Sequence, residues 1–204
     1  MKSYLKKEET EAVTLPCLND PCFNDFVALD LETTGLKRTE DIIEIGAIRV
    51  RGGRAVRKFS ALIKPRKSVP SLIEEITGIT NDMLWNAPEI EDILPDFMRF
   101  IGDDILLGHN IVSYDSKFIC REAANLGINI SNPLFDTLTY ARRLKKQTDM
   151  LPKSLSLTSL CELFGIERDK SHRAYDDALA NIKVFYYLRA LEKTLKENET
   201  NIMD

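Results

Sequence analysis

The chain has 204 residues, 44% of them hydrophobic and 29% charged, which suits one domain with a sizeable core. Its formal net charge of −4 argues against a basic surface that coats nucleic acid without regard to sequence. Bound divalent ions reverse the sign of a carboxylate cluster locally, so the acidic balance does not exclude an enzyme of nucleic acids.

In chain order, residues 1–24 are polar and without period, and read as a flexible leader. Phe26 to Leu31 is a short apolar strand ended by Thr33-Thr34-Gly35. Ile42–Arg51 is a second strand, Gly52-Gly53 a two-residue hairpin turn, and Ala55–Ile63 the returning third strand. Pro70–Ile76 predicts a short helix stopped at Thr77-Gly78, and Asn81 or Asp82 is expected to cap the next one. Residues 88–101 carry a helical period through Ile90, Ile93, Leu94, Phe97 and Ile101, with Pro95 expected to kink or break it. Ile105–Gly108 reads as a buried strand, and a helix follows over Ser113–Asn125, ended by Gly127. Phe135 marks a short strand before a helix over Thr137–Lys145. Residues 146–153 form a polar loop, Leu155–Phe164 a helix with Gly165 as C-cap, and Ala174–Lys196 the last helix. The domain is expected over residues 25–197, with 198–204 as a tail. These elements make an α/β protein with a mixed sheet and helices on both faces, an antiparallel hairpin half followed by parallel strands.

No apolar run is long enough to span a bilayer, and residues 1–9 lack the apolar centre of a signal peptide. A cytoplasmic protein without a membrane partner is expected. Cys17, Cys22, Cys120 and Cys161 form no CxxC pair and are expected as free thiols. Basic groups bunch at Arg49–Arg51, Arg54–Lys58, Lys64–Lys67 and Arg142–Lys146. Most of these are solvated faces, and some would flank a phosphate track.

The chemistry lies in carboxylates. Asp30 and Glu32 are two apart on a strand, so they project to one face about 6.6 Å apart. Two carboxylates so close repel, and a divalent ion beside them removes that cost. An all-oxygen pair suits Mg²⁺ or Mn²⁺. Asp115 opens a helix directly after an apolar strand, where ligands gather in α/β sheets. His172 stands five residues before Asp177 across a loop-to-helix junction, and an imidazole can take a proton from water near neutral pH. Asp176 is the rival to Asp177, and the five-residue spacing favours Asp177.

The ordered set Asp30-Leu31-Glu32-Thr33-Thr34-Gly35-Leu36, Ile43–Ala47, Ile76–Thr80, Gly108-His109-Asn110, Phe135-Asp136-Thr137, Leu157–Ile166 and His172–Asp177 resembles the DEDDh 3′→5′ exonucleases. Within that family it is most similar to the proofreading domains of the DNA polymerase III epsilon and PolC types. The resemblance covers about residues 25–190. It implies a ribonuclease H-like five-stranded mixed sheet, and removal of nucleoside 5′-monophosphates from 3′ ends of single-stranded DNA or RNA. It further implies two Mg²⁺ or Mn²⁺ ions held by Asp30, Glu32, Asp115 and Asp177, with His172 as general base. Thr33, Thr34, Gly35 and Leu36 would meet the terminal nucleotide, bordered by His109 and Asn110. The family often has three residues between the middle Asn and Asp, whereas four separate Asn110 from Asp115.

An RNA 3′-end trimmer or oligoribonuclease is the rival within nucleases, and a catalytically idle binding module is the rival from another class. The complete set of four carboxylates and a histidine argues against the latter. A DNA polymerase or sliding clamp is one candidate protein partner, a free-standing nuclease is the equal alternative, and a monomer is favoured. Gln147–Leu151 loosely resembles a clamp-binding peptide but reads as loop.

Overall fold

The computed structural model describes residues 24–168 and 172–203. The expected leader, apart from Asn24, lies outside the described residues, as do Cys17 and Cys22. Five strands are present: β1 Phe26–Thr33, β2 Ile42–Arg51, β3 Arg54–Leu62, β4 Leu106–Gly108 and β5 Leu134–Asp136. They form one sheet in the order β3-β2-β1-β4-β5. β1, β2 and β3 run antiparallel, while β4 lies parallel to β1 and β5 parallel to β4. The hairpin between β2 and β3 turns on Gly52 and Gly53, whose φ angles of 55° and 73° are both left-handed, as a type I′ turn requires.

The side-chain alternation of β1 divides the molecule. Val27, Leu29 and Leu31 face a core built with α3 (Ile90–Ile101) and α4 (Asp115–Asn125), through residues such as Leu94, Phe97 and Phe118. Phe26 and Ala28 face the opposite core with α5 (Thr137–Lys145), α6 (Leu157–Phe164) and α7 (Ala174–Met203), including Tyr140, Leu160 and Phe185. Period two then places Asp30 and Glu32 on the α7 side, so one face is apolar at its start and acidic at its end. On β2, Ile48 and Val50 share that side, and so by alternation do Gly46 and Glu44. The register pairs Asp30 with Gly46 and Glu32 with Glu44.

Several boundaries differ from expectation, each for a local reason. β1 extends through Thr33. The short helices α1 (Ser71–Thr77) and α2 (Asn81–Leu84) are present, but α2 is capped by Thr80, whose hydroxyl accepts from Met83 N–H. Asn81 is drawn away because its side chain donates to Val69 O and Glu74 Oε1. α3 is unbroken at Pro95; buried Ile93, Leu94, Phe97 and Ile101 pack it on both sides of the lost hydrogen bond. α4 begins at Asp115 and α6 at Leu157, the latter capped by Ser156. α7 continues past Lys196 to Met203. Ion pairs Lys193–Glu197 and Lys196–Glu192 at helical spacing support this extension. Cys120 and Cys161 are free. No helix among the described residues is long and apolar enough to cross a membrane.

Candidate active site

The acidic end of β1 is where three distant segments meet. Asp115, only 3% exposed, opens α4 beside the strand, and the backbone N–H of Leu31 donates to its carboxylate. Asp177 lies in the first turn of α7, with Oδ1 accepting from Arg168 Nη1 at 2.9 Å and Oδ2 accepting from the His172 N–H at 3.1 Å. His172 is exposed and left-handed, with φ 60°. Glu32, His172 and Asp177 each present a donor atom, and these atoms all lie within 4.8 Å of one another.

What lets α7 come so close is Gly46. A Cβ there would lie 2.2 Å from the backbone C of Ala174 and N of Tyr175. The start of α7 therefore rests directly on the backbone of β2, and Asp177 is delivered to the carboxylates of β1. On the α4 side, the extra residue between Asn110 and Asp115 is absorbed by a wide turn, since Ser116 N–H reaches back five residues to Ile111 O. Ile111 in turn covers Gly108, where a Cβ would meet the Ile111 Cβ at 2.6 Å.

The electrostatics follow from this crowding. Burial, then the charges of Asp115, Glu32, Asp177 and Glu44, hold the Asp30 carboxyl well above the ordinary carboxylate range. Burial, then Asp177, Glu44 and Asp115, push Glu32 up to about 8, against a downward pull from Arg173. Burial also raises Asp115, with backbone hydrogen bonds opposing. Carboxylates that cannot all ionise together, offering oxygen ligands and one adjacent imidazole, fit hard divalent cations such as Mg²⁺ or Mn²⁺. Among the described residues, Asp177 and not Asp176 belongs to this cluster.

The neighbouring residues fall into two groups. The loop after β1 is held by its own hydroxyls: Thr33 Oγ1 donates to Gly35 O at 2.8 Å, and Asp41 N–H donates to Thr34 Oγ1 at 3.0 Å. Tyr114 adds a phenol oxygen 2.7 Å from Thr33 Oγ1 and 3.1 Å from Gly35 O, within hydrogen-bond reach of either. Both threonines are buried, whereas Leu36 is 86% exposed at the tip. The loop thus offers Gly35 and Leu36 outward, and the threonine hydroxyls are engaged inside it. His109, expected to border the substrate, has both ring nitrogens engaged within the fold. Nδ1 meets Thr137 Oγ1 and Nε2 meets Leu155 O, each at 3.0 Å. Burial lowers its pKa, which favours the neutral ring. Asn110 is left-handed at φ 69°, and its N–H donates to Asp136 Oδ1, the same oxygen that caps α5.

Sequence reasoning assigned no role to Glu44, Arg168 or Arg173. Glu44 is 1% exposed, and its carboxylate accepts from Arg173 Nε and Nη2 and from the Ala174 N–H. The signal was a charged residue inside the apolar run Ile42-Ile43-Glu44-Ile45, where an unpaired charge would be costly. The resembling peptide Gln147–Leu151 is unsuited to a clamp, since its Leu151 is buried in the core beside α5 and α6.

The exonuclease family model of RNase T type matches residues 27–185. The subunit epsilon of DNA polymerase III from Aquifex aeolicus is 40% identical over 162 residues, covering 78% of this chain and 78% of the relative. The PolC-type DNA polymerase III of Thermotoga maritima is 37% identical over 208 residues, covering 100% of this chain but 15% of the relative. The chain thus spans only 12–15% of the length of this and three further PolC-type relatives. Among solved structures, E. coli exonuclease I in complex with a dT13 oligonucleotide aligns with a TM-score of 0.75 at 20% identity, over 86% of this chain and 43% of that one. Exonuclease X in complex with 5′ overhanging duplex DNA aligns at 0.63 and 23% identity, over 80% of this chain and 90% of that one. These two likenesses carry the fold, the mixed five-stranded sheet of the ribonuclease H-like kind.

Proposed function

We propose, from the premise that this chain belongs to the exonuclease family, that it removes nucleoside 5′-monophosphates from the 3′ end of single-stranded DNA. The observation that carries this is the closeness of Glu32, His172 and Asp177 at the end of β1, with the charges of Asp115, Glu32 and Asp177 acting on the buried Asp30. These four carboxylates would hold two Mg²⁺ or Mn²⁺ ions. Such ions, when bound, polarise the scissile phosphate and acidify water. His172, exposed and next to Glu32 and Asp177, accepts the proton of the attacking water and passes it to solvent. Gly35 and Leu36 present the loop to the terminal nucleotide, the backbone of Gly35 being fixed by Thr33 and Tyr114. Asn110 borders the same place, and Asp136 fixes its backbone.

Single-stranded DNA is favoured as substrate because exonuclease I, which shares this fold, is seen in complex with a dT13 oligonucleotide. Association with a DNA polymerase in the cytoplasm is favoured by the epsilon and PolC relatives. The domain would comprise residues 25–197, with α7 continuing beyond it.

The test is product analysis on matched DNA and RNA oligomers labelled at either end, with Mg²⁺ or Mn²⁺. A ladder shortening from the 3′ end is expected, with DNA cut faster than RNA. His172→Ala should be slower by about 10²–10⁴-fold. Degradation starting at the 5′ end, or full activity in that variant, would overturn the mechanism. Faster cleavage of RNA would move the assignment to an RNA 3′-end trimmer.

A further inference from the structure

We infer that Glu44 is a positioning residue for His172, holding the imidazole over the carboxylate cluster through its grip on Arg173 and on the start of α7. The inference rests on the reading of His172 as general base.

Glu44 occupies a position that packing alone would fill differently. Further along the same face of β2 stand Ile48 and Val50, buried against α7. Glu44 is equally buried, but it is charged and lies directly across the ladder from Glu32. Like charges directly opposite on a sheet repel, and a buried charge must be paired. Both of its oxygens are engaged. Oε1 accepts from Arg173 Nη2 at 2.7 Å, and Oε2 accepts from Arg173 Nε and from the Ala174 N–H, each at 3.0 Å. The carboxylate thus holds the guanidinium in a fork geometry and satisfies one of the orphan N–H groups at the start of α7.

His172 is the residue just before this anchor, and its backbone is left-handed, a region a β-carbon makes unfavourable. Such a conformation persists only where its surroundings enforce it. Here the residue is fixed from both sides: its own N–H donates to Asp177 Oδ2 at 3.1 Å, and its C-terminal neighbour is clamped to Glu44. Gly46, two residues along β2, lets the helix start approach closely enough for that clamp to close. The result is a ring placed within 4.8 Å of donor atoms on Glu32 and Asp177. Glu44 does not belong to that donor group, so its role runs through Arg173 and the loop.

The experiment compares wild type, Glu44→Gln, His172→Ala and the double variant with Mn²⁺ and a 3′-labelled single-stranded oligonucleotide. Mn²⁺ affinity is measured separately by calorimetry. Glu44→Gln keeps the shape of the side chain and removes its charge. It should lower kcat by about 10–100-fold, the usual effect of losing an outer partner. KM for the oligonucleotide should stay at its wild-type value, and Mn²⁺ affinity should not fall, since removing the Glu44 charge eases ionisation of Glu32 and Asp30. In the His172→Ala background the same change should have no further effect on the residual kcat, because two residues acting as one unit are not additive. A wild-type kcat in Glu44→Gln, an equal loss in both backgrounds, or a loss confined to Mn²⁺ affinity overturns the inference. Full activity of His172→Ala would instead remove the general base, a distinct failure. Should Glu44→Gln fail to fold, Arg173→Lys carries the same test, since it keeps the charge and loses the fork.

Discussion

At Glu32, burial and three neighbouring carboxylates raise the carboxyl from an ordinary 4.5 to about 8. The folded chain therefore holds a proton at Glu32 where the unfolded chain has already released it. With more protons bound in the folded state, stability falls as pH rises from about 4.5 through about 8. Asp30 and Asp115 are displaced in the same direction and reinforce the slope. The metal-free protein should show a lower urea midpoint at pH 8.5 than at pH 6. Mn²⁺ should raise the midpoint more at the higher pH, because ligand carboxylates must be deprotonated to bind. A metal-free midpoint that rises over this range would contradict the account. These residues were legible singly, as a two-residue spacing on a strand or an acid at a helix start. Their mutual effect was not, since it depends on which segments the fold brings together. Glu44 shows the limit well: its partner Arg173 is 129 positions away, and no local pattern announces the pair.

Between elements, the contact that decides most is the one α7 makes with β2 at Gly46. The strand itself was plain in the sequence, with bounds that needed no adjustment, because a run of Ile and Val between turn residues leaves little choice. What the run could not reveal is that a glycine inside it receives another backbone. In Gly46→Ala the new methyl would lie 2.2 Å from two backbone atoms and 2.6 Å from the Ala174 carbonyl oxygen. Neither backbone can give way as a flexible side chain would. Overpacking of this kind costs about 1–3 kcal/mol or more. The variant should lose stability on urea denaturation and, as Asp177 is pushed off, bind Mn²⁺ more weakly by calorimetry. Unchanged values for both would show that the helix start has room to move. Element ends were less legible where side chains had better partners elsewhere. Asn81 leaves the cap of α2 to Thr80 because Glu74 and Val69 hold it. α3 passes through Pro95 because its apolar face is buried on either side of the proline.

Across the whole molecule, the two faces of the sheet contribute unequally to the site, with Asp115 alone coming from the α3/α4 side. The α3/α4 core lies on one face and contributes mainly packing, with Phe59 and Phe97 in edge contact at 5.3 Å. Phe97→Ala should therefore cost about 3–5 kcal/mol in urea denaturation. The folded fraction should keep most of its Mn²⁺ affinity, since Asp30, Glu32 and Asp177 lie on the other face and only Asp115 comes from α4; a parallel loss of affinity would show the faces to be coupled. The order of strands and helices was legible from hydrophobic period and turn residues, and the mixed sheet followed from it. The seating of α7 across β1 and β2 was not, because a helix period tells which face is apolar and not where it docks. That seating has a bearing on synthesis. Domains generally fold as units as the chain emerges from the ribosome. Asp30 and Glu32 emerge early, but Asp177 joins them only when Phe185, Tyr186 and Leu188 have entered the core and fixed α7 in place. A nascent chain would thus be harmless to nucleic acid until nearly all of the domain had been made.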